Sequence, residues 1–189
     1  VAEMAGATVA FEQRRGYGWA CMSAIAAARD TDIYLFLDGD GSDDTSCIDQ
    51  LLAPISEGKA DMVIGSRVLG MCEPGALTLP QRLGNWLSSK LVNLIFGTHY
   101  TDLGPFRAIK KSEFEKMHMR EMTFGWTVEM QIKAAAMNLS IMEIPVKSFK
   151  RRAGTSKISG TIKGVVLAGT YILSNIGRSL ISKICGHYR

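Results

Sequence analysis

Hydrophobic and polar positions along the chain alternate between strand-like and helix-like spacing. "ATVAF" (7–11) reads as a short buried strand and the alanine-rich "GWACMSAIAAARD" (18–30) as a helix. "DIYLFLD" (32–38) is nearly continuous in apolar side chains, as a strand covered on both faces requires. "DTSCIDQLLAPI" (44–55) opens on capping residues and continues as a helix, and "ADMVIGSR" (60–67) is the next strand. This order predicts an α/β fold with a mostly parallel sheet flanked by helices.

The rhythm then changes. "GMCEPGALTLP" (70–80) reads as a loop and "QRLGNWLSSKLVNLIFG" (81–97) as an amphipathic helix. "FRAIKK" (106–111) looks like a short strand, "TVEMQIKAAAMN" (127–138) a helix and "SIMEIPVKSFKRR" (140–152) a strand. A last long helix is expected from Gly160 to Lys183; in and around it Ile158, Ile162, Val165, Gly169, Ile172, Ile176, Leu180 and Ile184 step at threes and fours as one apolar stripe. No repeat or linker interrupts the chain. The expected organisation is a single domain over 1–159 followed by an amphipathic helix and tail over 160–189.

With 189 residues, 47% hydrophobic and 21% charged, the chain can bury a core. None of its apolar runs approaches the ~20 residues of a membrane-spanning helix. Cys21, Cys47, Cys72 and Cys185 form no CxxC pair, and His99, His118 and His187 are equally scattered, which speaks against zinc. Reduced thiols in the cytosol are the default for such cysteines. The net charge of +4 is uneven: from Ile144 onward there are nine Lys and Arg and no Asp or Glu. So basic a tail suits an anionic partner, whether phosphate, nucleic acid or a lipid surface.

Candidate chemistry begins at "YLFLDGDGSDD" (34–44), where an apolar strand runs into Asp38, Asp40, Asp43 and Asp44. Gly and Asp are turn formers, and a strand end alone would account for them. Asp38 and Asp40, however, would lie at the carboxyl end of a sheet strand, where open α/β folds bind ligands. A D-x-D there can offer two oxygens to Mg²⁺ or Mn²⁺, which share their shell with substrate phosphates. An EF-hand starting at Asp38 would need Gly and Glu where Asp43 and Asp49 stand. A dinucleotide fingerprint fails at Cys21, the third glycine place of "GYGWAC". Arg67 ends the next strand, "DLGPFRAIKK" supplies Asp102 and Arg107, and "RRAGTSK" supplies Arg151, Arg152, Ser156 and Lys157. Loops of that kind bind phosphate through guanidinium forks and backbone N–H groups.

Taken together, "RRGYGWA", "YLFLDGDGSDD", "DMVIGSR", "TDLGPFRAI", "TVEMQIKAA", "EIPV" and "RRAGTSKISGT" resemble, in order, the family 2 glycosyltransferases, and within them the polyprenyl-phosphate sugar synthases. The resemblance implies an A-type nucleotide-sugar transferase fold, with Asp38 and Asp40 binding the divalent metal of a nucleotide diphospho-sugar. It implies phosphate contacts from Arg67, Arg107, Arg152, Ser156 and Lys157, an acceptor-side role for Asp102, and a helix carrying Glu129 that closes the site. At Ser42 related synthases often carry a metal-holding Gln. A larger departure is that the family's opening strand, helix and second strand ending in "DDGS" have no counterpart here. The expectation is that the chain starts inside a domain and lacks a first β-α-β unit.

The expected reaction is an inverting transfer from the nucleotide diphospho-sugar to a polyprenyl phosphate or another sugar acceptor. A phosphate acceptor is already anionic; a hydroxyl would need Asp102 or Glu129 as base. Two plainer readings stand beside these roles: Asp102 as a turn cap, and Glu129 as an ion-pair partner of Lys133. The alternative function is a fragmentary or inactive relative serving as a binding or regulatory module. RNA binding has little support, since aromatic stacking platforms are sparse in the basic segment. The expected place of action is the cytoplasmic face of a membrane, held peripherally.

Overall fold

The computed structural model describes residues 2–28, 30–123 and 125–152, together with Gly177. In chain order the elements are α1 (Tyr17–Ala27), β1 (Ile33–Phe36), α2 (Ile48–Ser56), β2 (Met62–Cys72), α3 (Leu79–Phe96), β3 (Arg107–Lys110), α4 (Lys111–Met117), α5 (Trp126–Ala136) and β4 (Ile141–Ser148). Short 3-10 turns occupy Glu3–Ala5 and Thr45–Cys47.

The strands form one sheet in the order β1-β3-β2-β4. β3 runs antiparallel to both β1 and β2, while β2 and β4 are parallel. The sheet is therefore mixed rather than mostly parallel. β1, β2 and β4 do share one direction, as the early strand–helix alternation implied, but β3 inserts between β1 and β2 with the opposite sense. A short apolar run records burial on two faces and carries no sign of direction.

Within the central strands, successive side chains serve opposite faces. Met62, Ile64 and Ile109 join Trp126, Met130 and Ile132 in the larger core, on the side of α3, α4 and α5. Val63, Ala108 and Val146 turn to the other side and pack on Leu51 and Ile55 of α2. Leu51 is wholly buried, a burial that stabilises the fold by about 1.5–3 kcal/mol.

Several boundaries move from their sequence expectation, each for a local reason. α3 begins at Leu79, with Pro80 inside its first turn; Thr78 and Gln81 form a reciprocal capping box, and Gly97 ends the helix in the left-handed region. β2 continues to Cys72 through the expected loop, because Met71 and Cys72 pair with Lys147 and Ser148 beyond a register shift. Gly70 allows that approach: a Cβ there would stand 2.0 Å from the Val146 carbonyl oxygen. "ATVAF" is not a buried strand. Residues 7–11 form no described secondary structure, and Phe11 is 86% exposed. No described strand lies beside it to take its backbone hydrogen bonds. The helix expected over 160–183 lies outside the described residues apart from Gly177, as do Ser156 and Lys157.

Candidate active site

Because β1, β2 and β4 run the same way, their carboxyl ends share one rim. β1 leads to Asp38 and Asp40, the regular part of β2 to Arg67, and β4 to the segment 149–152. β3 begins at that rim: Arg107 pairs with Phe36 of β1 and Ile64 of β2. Residues far apart in sequence thus meet through strand direction alone.

The acidic turn is folded on itself and tied to the end of β4. Asp38 N donates to Asp43 Oδ2 at 2.9 Å, and Ser42 N donates to Asp40 Oδ1 at 2.9 Å. Phe149 N reaches Ser42 O and Arg152 N reaches Asp40 O, both at 2.9 Å. Gly41 takes a positive φ of 76°, and a Cβ there would sit 3.2 Å from Arg152 Cδ, so the D-G-D-G turn needs glycine twice over. Arg151 Nη2 pairs with Asp40 Oδ2 at 2.9 Å.

The electrostatics of this turn are those of crowded carboxylates. Burial and the charge of Asp40 raise the Asp38 carboxyl above its ordinary range, against the pull of Arg151 and Arg67. Burial, helped by the Asp38 and Asp40 charges, pushes Asp43 up to about 6. A cation between Asp38 and Asp40 would relieve this repulsion. Two carboxylates are a partial shell of the kind Mg²⁺ or Mn²⁺ completes with water and phosphate oxygens, so these residues fit such an ion. Among the described residues no group of three or more His, Cys, Asp or Glu is arranged to hold a metal by itself.

Asp43 gives a test of the crowding. A carboxyl whose folded pKa is raised stabilises the fold below its unfolded pKa, and that stability is lost as pH rises through about 6. An asparagine in its place could still accept from Asp38 N without the charge. In chelator-treated buffer, Asp43→Asn is expected to raise unfolding stability at neutral pH by roughly 1–3 kcal/mol, with the gain vanishing below about pH 4. Urea melts across that range decide it; a loss of stability at neutral pH refutes the crowding argument.

Arg67 and Asp102, read from sequence as separate ligand contacts, are joined to each other. Arg67 Nε donates to Asp102 Oδ2 at 2.8 Å and Nη2 to Oδ1 at 2.6 Å. The backbone N–H groups of Arg67 and Gly104 add bonds of 2.8 and 3.0 Å. Asp102 is fully buried. Burial opposes its ionisation, but the Arg67 bonds and charge outweigh it and hold the carboxyl below the usual range. Glu143 of β4 braces the same loop, accepting from Thr101 N at 3.0 Å, from Thr101 Oγ1 at 2.7 Å and from Asp102 N at 3.3 Å.

Arg107 is 1% exposed, and burial lowers its pKa to about 10. Its guanidinium donates to Thr127 O at 2.9 Å, to Leu103 O at 3.2 Å and to Gly104 O. Glu129 accepts from Arg120 N at 3.1 Å and Glu121 N at 2.8 Å and pairs with Lys133 at 2.8 Å. Arg152 contributes its backbone N–H and aliphatic stem to the acidic turn. Tyr17 of α1 lines one cleft with Asp38; it stands in the "RRGYGWA" stretch, but nothing in its spacing links α1 to the acidic turn. α1 and β1 line this cleft of about 380 Å³ with Cys21, Ile25, Tyr34 and Phe36.

Residues 7–118 match the family described as Glycosyl transferase family 2. The chain belongs to glycosyl transferase family 2. It is a glycosyltransferase, as the ordered motifs implied. It is 31% identical over 170 residues to an uncharacterized glycosyltransferase of Mycobacterium bovis, covering 89% of this chain and 75% of the relative. It is 26% identical over 140 residues to the undecaprenyl-phosphate mannosyltransferase of Micrococcus luteus, covering 72% of this chain and 57% of that enzyme. The fold is similar to that of glucosyl-3-phosphoglycerate synthase from Mycobacterium tuberculosis, solved with phosphoglyceric acid, at a TM-score of 0.66 and 17% identity over 93% of this chain and 63% of that one. The chain thus spans a little over half of the micrococcal enzyme and under two thirds of the solved synthase.

Proposed function

We propose that this glycosyltransferase moves a sugar, with inversion, from a nucleotide diphospho-sugar to a polyprenyl phosphate or a similar phosphate acceptor. The observation that carries the choice of acceptor is the state of its candidate bases. Every Asp102 oxygen already accepts from Arg67 and backbone N–H groups, and both Glu129 oxygens are engaged by backbone N–H groups or Lys133. Neither is well set to take a proton from a hydroxyl, whereas a phosphate monoester arrives already ionised and needs no base. That the micrococcal relative is an undecaprenyl-phosphate mannosyltransferase supports the same acceptor class.

In this reading Asp38 and Asp40 hold Mg²⁺ or Mn²⁺, which would neutralise charge on the diphosphate. The chain's own groups position the reactants. Arg151 and Arg152 lie at the acidic turn to meet donor phosphates, with Ser156 and Lys157 following in sequence. Arg67, fixed by Asp102, sets the β2 side of the rim. Arg107 clamps the 103–104 carbonyls beneath it, and Glu129 pins the 120–121 backbone beside α5. The work would be done at a membrane surface, because a polyprenyl chain resides there.

The test is a screen of UDP- and GDP-sugars with Mg²⁺ or Mn²⁺, offering undecaprenyl phosphate or a soluble hydroxyl acceptor to the full-length protein. Nucleotide release that needs the lipid phosphate is the expected result. Efficient transfer to a hydroxyl acceptor with none to the lipid phosphate overturns the acceptor.

A further inference from the structure

Helix α3 sends Leu91, Val92, Ile95 and Phe96 to the core but carries a second apolar face, more than a helix that only completes a core needs. Its buried residues are Ser88, Ser89 and Val92. Leu79, Leu83, Trp86, Leu87 and Leu94 are exposed at 80%, 64%, 56%, 42% and 82%. At helical spacing those five fall within an arc of about 100°, roughly opposite the buried face. A helix of a globular domain ordinarily turns such a stripe inward. A contiguous exposed stripe marks a surface that meets something else.

The charge around it indicates what. Residues 74–101 contain no Asp or Glu, while Arg82 and Lys90 sit on α3, Lys90 within the stripe. Leucines and a tryptophan with lysine and arginine among them are the composition of a helix lying in the headgroup region of an anionic bilayer. Among the described residues no helix is long and apolar enough to cross a membrane. We propose that the outward face of α3, centred on Leu83, Trp86 and Leu87, docks on an anionic lipid surface.

The position of α3 gives the docking a purpose that rests on the polyprenyl-phosphate reading. Asn85 Oδ1 accepts from Leu103 N at 2.9 Å and Asn85 Nδ2 donates to Thr101 O at 3.4 Å, so α3 is bonded to the loop that carries Asp102. A bilayer against the outer face of α3 brings lipid phosphates towards that loop.

The experiment is sedimentation of the full chain with phosphatidylcholine vesicles, with and without phosphatidylglycerol, at low and high salt. Binding should require the anionic lipid and fall with salt. Leu83→Gln/Trp86→Gln/Leu87→Gln is expected to lower partitioning by about tenfold or more. Arg82→Glu/Lys90→Glu, which leaves the apolar face intact, should cost at least about tenfold, and only on anionic vesicles. Should the triple variant fail to fold, the charge-reversal pair decides alone. Absence of binding by the unaltered chain, or binding by both variants as strong as that of the unaltered chain, overturns the proposal. So does a dimer that the triple variant dissociates while vesicles are ignored, since a second copy then covers the stripe. Vesicle binding through α3 combined with transfer only to a soluble acceptor would keep this surface and remove the acceptor reading; lipid-phosphate transfer without vesicle binding would do the reverse.

Discussion

Asp40→Asn is expected to reduce sugar transfer by roughly a hundredfold or more while leaving the fold intact. The two effects separate because Asp40 holds little of the structure by its charge. Its backbone carbonyl accepts from Arg152 N, and Asn can still offer an Oδ1 to Ser42 N. What Asn loses is the pair with Arg151, whose side chain is 41% exposed, and such pairs contribute about 0–1 kcal/mol. What it loses for catalysis is an anionic oxygen beside Asp38, where a divalent ion and the donor diphosphate would compete with Arg151 for the carboxylate. Arg151→Met separates the roles. If Asp40 served only to anchor Arg151, both variants would lose the same activity. The expectation is that Asp40→Asn abolishes metal-dependent donor binding in calorimetric titration, whereas Arg151→Met weakens it and keeps its metal dependence. An Asp40→Asn enzyme running at full rate ends the metal assignment.

How much of this was legible in the sequence depends on the range of the signal. The apolar runs of β1 and β2, the capped start of α2 and the amphipathic spacing of α3 are written in neighbouring residues, so they could be read to within a few positions. The D-x-D at the end of β1 could also be read, because strand, turn and carboxylates adjoin. The sense of β3 could not: "RAIK" is buried on both faces whichever way it runs. α4 is a seven-residue helix within a segment where no regular spacing develops. Gly70 and Pro74 suggested a loop, yet Gly70 serves the close approach of two strands, which only the partner strand reveals. In the site, Arg67 and Asp102 each stood out singly, but their pairing spans 35 positions and depends on the sheet. The bond between Arg151 and Asp40 and the bracing by Glu143 are of the same long-range kind.

The Arg67–Asp102 pair should dominate the stability of the rim. Removing one partner of a buried ion pair leaves an uncompensated charge, at a cost of about 3–5 kcal/mol. Arg67→Met does this to Asp102, which has no exposed surface and would keep only the residue-67 and Gly104 backbone N–H groups. Adding Asp102→Asn should restore part of the loss, because it removes the buried charge while its single amide oxygen keeps one of the two backbone bonds. The double variant is thus expected to be more stable than Arg67→Met alone, the opposite of what two independent losses would give. The pH dependence follows from the direction of the shift. The folded pKa of Asp102 is depressed, so its contribution in the unaltered protein is present above the unfolded value of about 3.9 and disappears as pH falls through the lower folded value. In Arg67→Met the carboxyl loses its cation, burial raises its pKa, and protonation on acidification removes the penalty. The deficit of Arg67→Met should therefore be largest at neutral pH and shrink towards about pH 4. Urea unfolding of the three variants and the unaltered chain across that range measures it. A double variant no more stable than Arg67→Met, with a deficit that ignores pH, would mean that Asp102 is held by the loop rather than by Arg67.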